Sequence, residues 1–220
     1  MKANALWFFA VLFAVAGCTA PRVSWERIER GKFVEFGTPA ERSLVVAAIH
    51  RMSPQAQATV TTIRITSDCP SYAKDKYGNV LEAGHCRWWT RFICVYPDYL
   101  DKWTVWHEAA HAFFYALPAW KRADWGSISK EAYGDRSGSF PRDGIITDYG
   151  ATDYYENFAE WVAWALERCS FGGRAWYVDT NLVDKHDARY LRSLQFLRDC
   201  GALSLEDYAT LEPFFTPPRK

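Results

Sequence analysis

His107, Glu108 and His111, within TVWHEAAHAFFYAL at positions 104–117, are the residues whose types and spacing are suited to chemistry. Four residues advance an α-helix by about 400°, so the two histidines stand one above the other on one face, where their imidazoles can converge on a single ion. Two neutral nitrogens so placed suit zinc. Glu108 is too close to the first histidine to join the coordination easily, yet it is well placed to take a proton from water on the metal. The surroundings predict a helix. Ala109, Ala110 and Ala112 favour it, Val105, Phe113 and Leu117 supply a buried side, and Pro118 ends the run.

A second group lies downstream in DYGATDYYENFAEWVAWALERC, positions 148–169. Thr152 and Asp153 read as a helix start, and Tyr155, Phe158, Ala159, Val162, Ala163 and Leu166 recur at helical spacing. Glu156 and Glu160, four apart, therefore share one face. Their neighbours on it are apolar, a costly setting for two carboxylates unless something cationic sits opposite. A zinc ion on the facing helix answers that cost. Spacing alone permits either glutamate as third ligand. Three protein ligands leave zinc one position for water, whose pKa falls to roughly 7, within reach of a general base.

These pieces, His107-Glu108-x-x-His111, then Tyr149-Gly150, then Glu156-x-x-x-Glu160, resemble the gluzincin metallopeptidases, most closely the catalytic domain of anthrax lethal factor and the Pro-Pro endopeptidases. The resemblance spans about 104–166. It implies that His107, His111 and Glu156 ligate zinc, with Glu108 as general base. It further implies that Tyr149 donates a hydrogen bond to the developing oxyanion and that Glu160 is an acid behind the ligands. Where lethal-factor-like helices usually carry a glycine before the second histidine, this chain has Ala110. The fold implied is α+β, a zincin-like single domain in which a small sheet packs on the metal helix and a second helix supplies the glutamate.

Other elements must position this site. Thr38-Pro39-Ala40-Glu41 reads as an N-cap, a proline at the first helical position and a capping-box acid, opening a helix to about Met52 that buries Val45, Ala48, Ile49 and Met52. TVTTIRIT at 59–66 and RWWTRFICV at 87–95 read as strands, with a polar loop around residues 74–79 between them. The second strand lies close to the metal helix, where an edge strand could pair with an extended substrate. Trp88, Trp89, Arg91 and Phe92 are the candidates for flanking subsites. Residues 119–148, with Gly134, Gly138 and Gly144, read as a long loop that walls or lids the cleft. Residues 188–200 and 205–211 read as closing helices ended by Pro213, Pro217 and Pro218, and His50, His85 and His186 read as solvated.

The chain opens with Lys2 and an apolar run at 5–16, too short to span a bilayer, ending in Val15-Ala16-Gly17-Cys18. That end resembles the lipobox of bacterial lipoproteins, which implies cleavage before Cys18 and lipidation of that cysteine. Residues 1–17 are then a signal peptide, 18–37 a linker from the lipid anchor and 38–220 the metallopeptidase domain. With 26 basic against 26 acidic residues, electrostatics offers no reason to expect nucleic acid as partner. Export permits disulfides, and Cys169 with Cys200, or Cys69 with Cys86 or Cys94, are the pairs considered. The expectation is a monomeric zinc endopeptidase tethered to the bacterial cell envelope and acting on protein or peptide. Its alternatives are a non-catalytic zinc-containing lipoprotein that binds an envelope protein or glycan, and a hydrolase of cell-wall peptide crosslinks.

Overall fold

The computed structural model describes residues 26–29, 32–67, 83–87, 90–133, 146–147, 149–170 and 188–216. Five short strands form one mixed sheet: β1 (Glu26–Glu29), β2 (Lys32–Glu35), β3 (Thr62–Ile65), β4 (Gly84–Arg87) and β5 (Phe92–Val95). Their order is β1-β2-β3-β5-β4, with β3 parallel to both β2 and β5, and β4 antiparallel to β5 at one edge. The architecture is α+β and mostly helical. In register across the sheet, Val34, Ile63 and Ile93 are fully buried on one face. The opposite face carries Glu35 and Arg64, whose Nε donates to the carboxylate at 2.6 Å.

Helix α1 (Pro39–Arg51) starts as the sequence predicts. The Thr38 hydroxyl accepts from the Glu41 amide at 3.3 Å, the Glu41 carboxylate accepts from the Thr38 amide, and Pro39 opens the first turn. The chain reaches that cap from β2 through Phe36 and Gly37, with φ of 61° and 74°. Gly37 is required there, since a Cβ would lie 2.7 Å from Ile65 Cδ1. Val45, Ala48, Ile49 and Met52 are buried as expected. A short helix, α2 (Pro54–Thr59), follows, so the strand expected from Thr59 begins at Thr62.

The central pair is α3 (Lys102–Ala116) and α5 (Tyr154–Ser170). Asp101 caps α3 by accepting from the Thr104 amide at 2.7 Å, and Asp153 caps α5 by accepting from the Tyr155 and Glu156 amides at 2.7 and 2.9 Å. Every residue of α3 from Thr104 to Phe114 is buried, the pattern of a helix enclosed on all sides. Phe113 and Phe114 meet Phe158 of α5 at ring distances of 6.2 and 4.8 Å, and Trp106 donates to the Ala48 carbonyl at 2.8 Å, fixing α3 against α1. Each fully buried aromatic contributes roughly 1.5–3 kcal/mol.

Four expectations change. Residues 119–133 are not loop but α4 (Ala119–Tyr133), begun by the Arg122 amide donating to Pro118 O, the same proline that ends α3. Of its residues 119–129, only Trp125, Ile128 and Ser129 are buried, too few to print a period on the sequence. Trp125 donates to the Tyr154 carbonyl at 2.8 Å and so anchors the start of α5. The single strand expected at 87–95 is a hairpin. The Thr90 and Arg91 amides both donate to Arg87 O, and Arg91 adopts φ 54°, a left-handed turn written without glycine. Part of the expected 18–37 linker is β1 and β2, joined to the sheet.

The cysteine pairings are the fourth change. Cys86, Cys94, Cys169 and Cys200 are free thiols. Cys169 Sγ points to the Asp207 carbonyl and Cys200 Sγ to that of Leu197, and burial pushes them up to about 12 and about 11, so both are protonated. Cys86 and Cys94 lie on opposite faces of the sheet, and Cys69 is outside the described residues. The closing helices are α6 (Ala188–Cys200) and α7 (Leu205–Phe215), the latter running through Pro213 rather than stopping there.

What ties α7 to α1 is ionic. Arg51 Nη1 donates to Asp207 Oδ2 at 3.0 Å and Nη2 to the other oxygen, a two-pronged pair with Asp207 buried. Burial opposes ionisation of Asp207, but the Arg51 hydrogen bond outweighs it and holds the carboxyl below its usual range. Stability from this pair is therefore complete above the unfolded carboxylate pKa and lost as pH falls through the lower folded value. Asp207→Asn should cost about 1–3 kcal/mol at pH 7, read as a lowered urea midpoint, and the gap from wild type should close in acid.

Candidate metal centre

α3 and α5 cross with His107, His111 and Glu156 facing one another, their ligand atoms all within 4.8 Å. His107 Nε2 lies 2.9 Å from Glu156 Oε2 and 3.1 Å from His111 Nε2, and His111 Nε2 lies 3.2 Å from the same glutamate oxygen. These three atoms make a nearly equilateral triangle. Zinc bonds of about 2.0–2.1 Å in a tetrahedron place donors about 3.3 Å apart, so the triangle needs to widen only slightly to admit the ion. Two imidazoles and one carboxylate are a donor set that fits zinc.

Glu160, the second glutamate of the pair, does not point into this triangle. Its Oε1 lies 2.7 Å from His107 Nδ1, behind the ring, and also receives the Trp103 indole N–H at 3.4 Å. An Nδ1–H donated to Glu160 leaves the Nε2 lone pair for a metal, which fixes both tautomer and ring orientation. The two glutamates left open by spacing are thus separated by geometry: Glu156 faces the triangle and Glu160 supports it. His111 Nδ1, by contrast, is buried with no partner among the described residues.

The electrostatics follow from the same contacts. Burial would lower the His107 pKa, but hydrogen bonds to Glu156 and Glu160 outweigh it and raise it to about 10. Glu156 is the counterpart. Burial opposes its ionisation, and the His107 and His111 hydrogen bonds hold it well below the ordinary carboxylate range. A proton on His107 Nε2 thus occupies the point at which the three donor atoms meet.

Glu108 is buried at 6 % exposure and turns toward the sheet. A Cβ at Gly84 would lie 3.1 Å from its Cγ and 3.3 Å from Oε1, so the carboxylate rests over the bare backbone of edge strand β4. Gly84 and Cys86 share that face, and burial followed by the Glu108 charge pushes the Cys86 thiol far up. Tyr149 stands at the mouth, 51 % exposed, its ring 5.7 Å from that of His107. The turn that carries it is tightly held. The Tyr149 carbonyl accepts from the Thr152 amide and hydroxyl, and the next amide, Gly150 N–H, donates to Thr147 Oγ1.

The fold therefore brings together His107, Glu108, His111, Tyr149, Glu156 and Glu160. Among the described residues of the aromatic strand, Phe92 is not brought to them. Phe92 lies in β5, paired on both sides, and stacks under Arg64 on the face away from α3, while Arg91 sits in the hairpin turn. Trp88, Trp89, Cys18 and His186 lie outside the described residues. His50 is exposed as expected, but His85 is half-buried, with Nδ1 3.0 Å from the Tyr96 hydroxyl. Sequence reasoning missed Thr147, Trp103 and Gly84. Only Thr147, three residues before Gly150, carried a local signal, that of a hydroxyl that caps a turn.

Zinc entering this triangle must displace the His107 proton. Between neutral pH and about 10, zinc uptake should release close to one proton, and apparent affinity should rise as pH rises through that window. Calorimetry in buffers of different ionisation enthalpy checks the count.

No family model, curated protein or solved structure matches the chain, so the chemistry of the centre follows from its donor atoms and their surroundings.

Proposed function

We propose that this chain is a zinc-dependent endopeptidase of zincin-like architecture that hydrolyses protein or peptide at the bacterial cell envelope, where a lipid on Cys18 tethers it. One observation carries the reading. His107, His111 and Glu156 converge from two helices while Glu108, from the same turn of α3, lies in the crevice against an edge strand. The run at 5–16 followed by Val15-Ala16-Gly17-Cys18 supports the tether.

Zinc held by His107, His111 and Glu156 would supply a Lewis acid for a carbonyl oxygen and would make water acidic enough to lose a proton near neutral pH. Glu108 is the group that takes that proton, its carboxylate kept from bulk water between α3 and β4. The same carboxylate then delivers the proton to the leaving amine. Tyr149 donates its phenolic O–H to the negative charge forming on the carbonyl oxygen, which its position beside His107 at the mouth allows. An extended peptide added along β4 would run past Gly84, where the missing side chain brings its backbone closest to Glu108. On this reading the substrate pairs along β4 rather than β5, which has a strand on both sides.

Chelation should abolish cleavage of a randomised peptide library, and added zinc should restore it. Glu108→Gln should keep zinc and lose cleavage by roughly 10²-fold or more, whereas His107→Ala should lose the metal itself. Proteolysis retained by zinc-loaded Glu108→Gln would overturn the reading. Stoichiometric zinc without turnover in the wild type would instead assign a non-catalytic zinc protein.

A further inference from the structure

Thr147 belongs to neither helix of the centre, yet one atom of its side chain touches both halves of the machinery. Its Oγ1 donates to Glu160 Oε2 at 2.7 Å and accepts from the Gly150 amide at 2.9 Å. A hydroxyl has one proton to give and lone pairs to receive, so both contacts are satisfied at once. The other Glu160 oxygen is the one held 2.7 Å from His107 Nδ1. The Gly150 amide is the peptide group that follows Tyr149 directly. A continuous line of hydrogen bonds therefore runs from the His107 ring through Glu160 and Thr147 to the backbone of the Tyr149 turn.

The packing around this line admits little slack. A Cβ on Gly150 would lie 3.4 Å from the Asn157 Cα, the Glu160 Cβ and Thr147 Oγ1, so the turn lies directly against the first turns of α5. On the far side of the same peptide, the Tyr149 carbonyl accepts from Thr152 N at 3.0 Å and Thr152 Oγ1 at 2.8 Å. The peptide between Tyr149 and Gly150 is gripped at both its polar ends, and Thr147 is the grip that connects to the metal ligands.

We propose that Thr147 is a positioning residue that couples the zinc ligands to the oxyanion tyrosine, so that metal held by His107 sets the Tyr149 turn through Glu160. The proposal rests on the metallopeptidase reading and deepens it. A cation that takes Nε2 in place of its proton pins the ring in one orientation and keeps the Nδ1–H aimed at Glu160. That fixes the glutamate, and with it the acceptor that orients the Thr147 hydroxyl. The hydroxyl's lone pair is then aimed at Gly150 N–H, which locks the turn.

The test uses the full chain with zinc as the probe. Thr147→Val keeps the side-chain shape and removes the hydroxyl; Thr147→Ala removes the same group without adding a methyl and must give the same pattern; Thr147→Ser restores it. Competition against a chromophoric chelator should show zinc binding weakened by about 10- to 100-fold in the first two and wild-type binding in the serine variant. Zinc should slow hydrogen exchange at the Gly150 amide in wild type and Thr147→Ser. At saturating zinc it should leave that amide unchanged in Thr147→Val and Thr147→Ala. In peptide cleavage, Thr147→Val should lower kcat with KM kept, and lower it no further in a Tyr149→Phe background. Wild-type zinc affinity together with wild-type Gly150 protection in the valine and alanine variants would overturn the coupling while leaving the metallopeptidase reading intact. Failure of the wild-type chain to bind zinc would remove that reading, and the coupling with it.

Discussion

Buried negative charge is the constraint around which this structure is arranged. Glu108, Glu156 and Glu160 lie in or beside one crevice between helices that are otherwise packed with apolar side chains, and Glu108 and Glu160 are almost fully enclosed. Carboxylates in such surroundings need compensation from positive charge or from hydrogen-bond donors. The fold provides both kinds. Glu156 sits in the first turn of α5, where the helix's own amides favour an anion, and Glu160 collects donors from His107, Trp103 and Thr147. The two imidazoles supply the rest of the compensation, and a divalent ion would supply it better than a proton does.

That arrangement holds only if α3 and α5 keep a fixed separation. Phe113, Phe114 and Phe158 set the spacing from one side, while the Trp125 bond to Tyr154 sets where α5 begins. Ligands mounted on two enclosed helices have little freedom to stray, which suits a centre whose donors must meet within tenths of an ångström. Tyr149 is mounted differently, on an exposed turn. Its precision comes from hydrogen bonds to both polar ends of the peptide that follows it, which lies against the start of α5.

What could be read from the sequence was whatever is settled by distance along the chain. The four-residue offsets of His107 with His111 and of Glu156 with Glu160 are properties of a helix, as are the caps at Thr38 and Asp153. The buried positions of α1 also followed from its period. What escaped depends on who meets whom in three dimensions. Nothing local says that Gly84 must be bare because Glu108 lies over it, or that Arg91 will take a left-handed turn between two aromatic segments. The helical nature of 119–133 was hidden because residues 119–129 of α4 bury only a narrow strip and carry Gly126 within it. Cys169 and Cys200 suggested a staple because both end helices, but each thiol turns to a backbone carbonyl. Between Glu156 and Glu160 the sequence left a genuine tie, broken only by which carboxylate lies in front of the His107 ring and which behind it.

The complete enclosure of α3 has a kinetic consequence. A helix with no solvent-facing side between Thr104 and Phe114 cannot fray its middle turns without opening the whole core, so His107 and His111 belong to the last cooperative unit to come apart. Leakage of a bound ion by partial loosening of those ligands is closed off. A bound ion would therefore exchange through the mouth, on the side of Glu156 and Tyr149, while the two histidines stay in place.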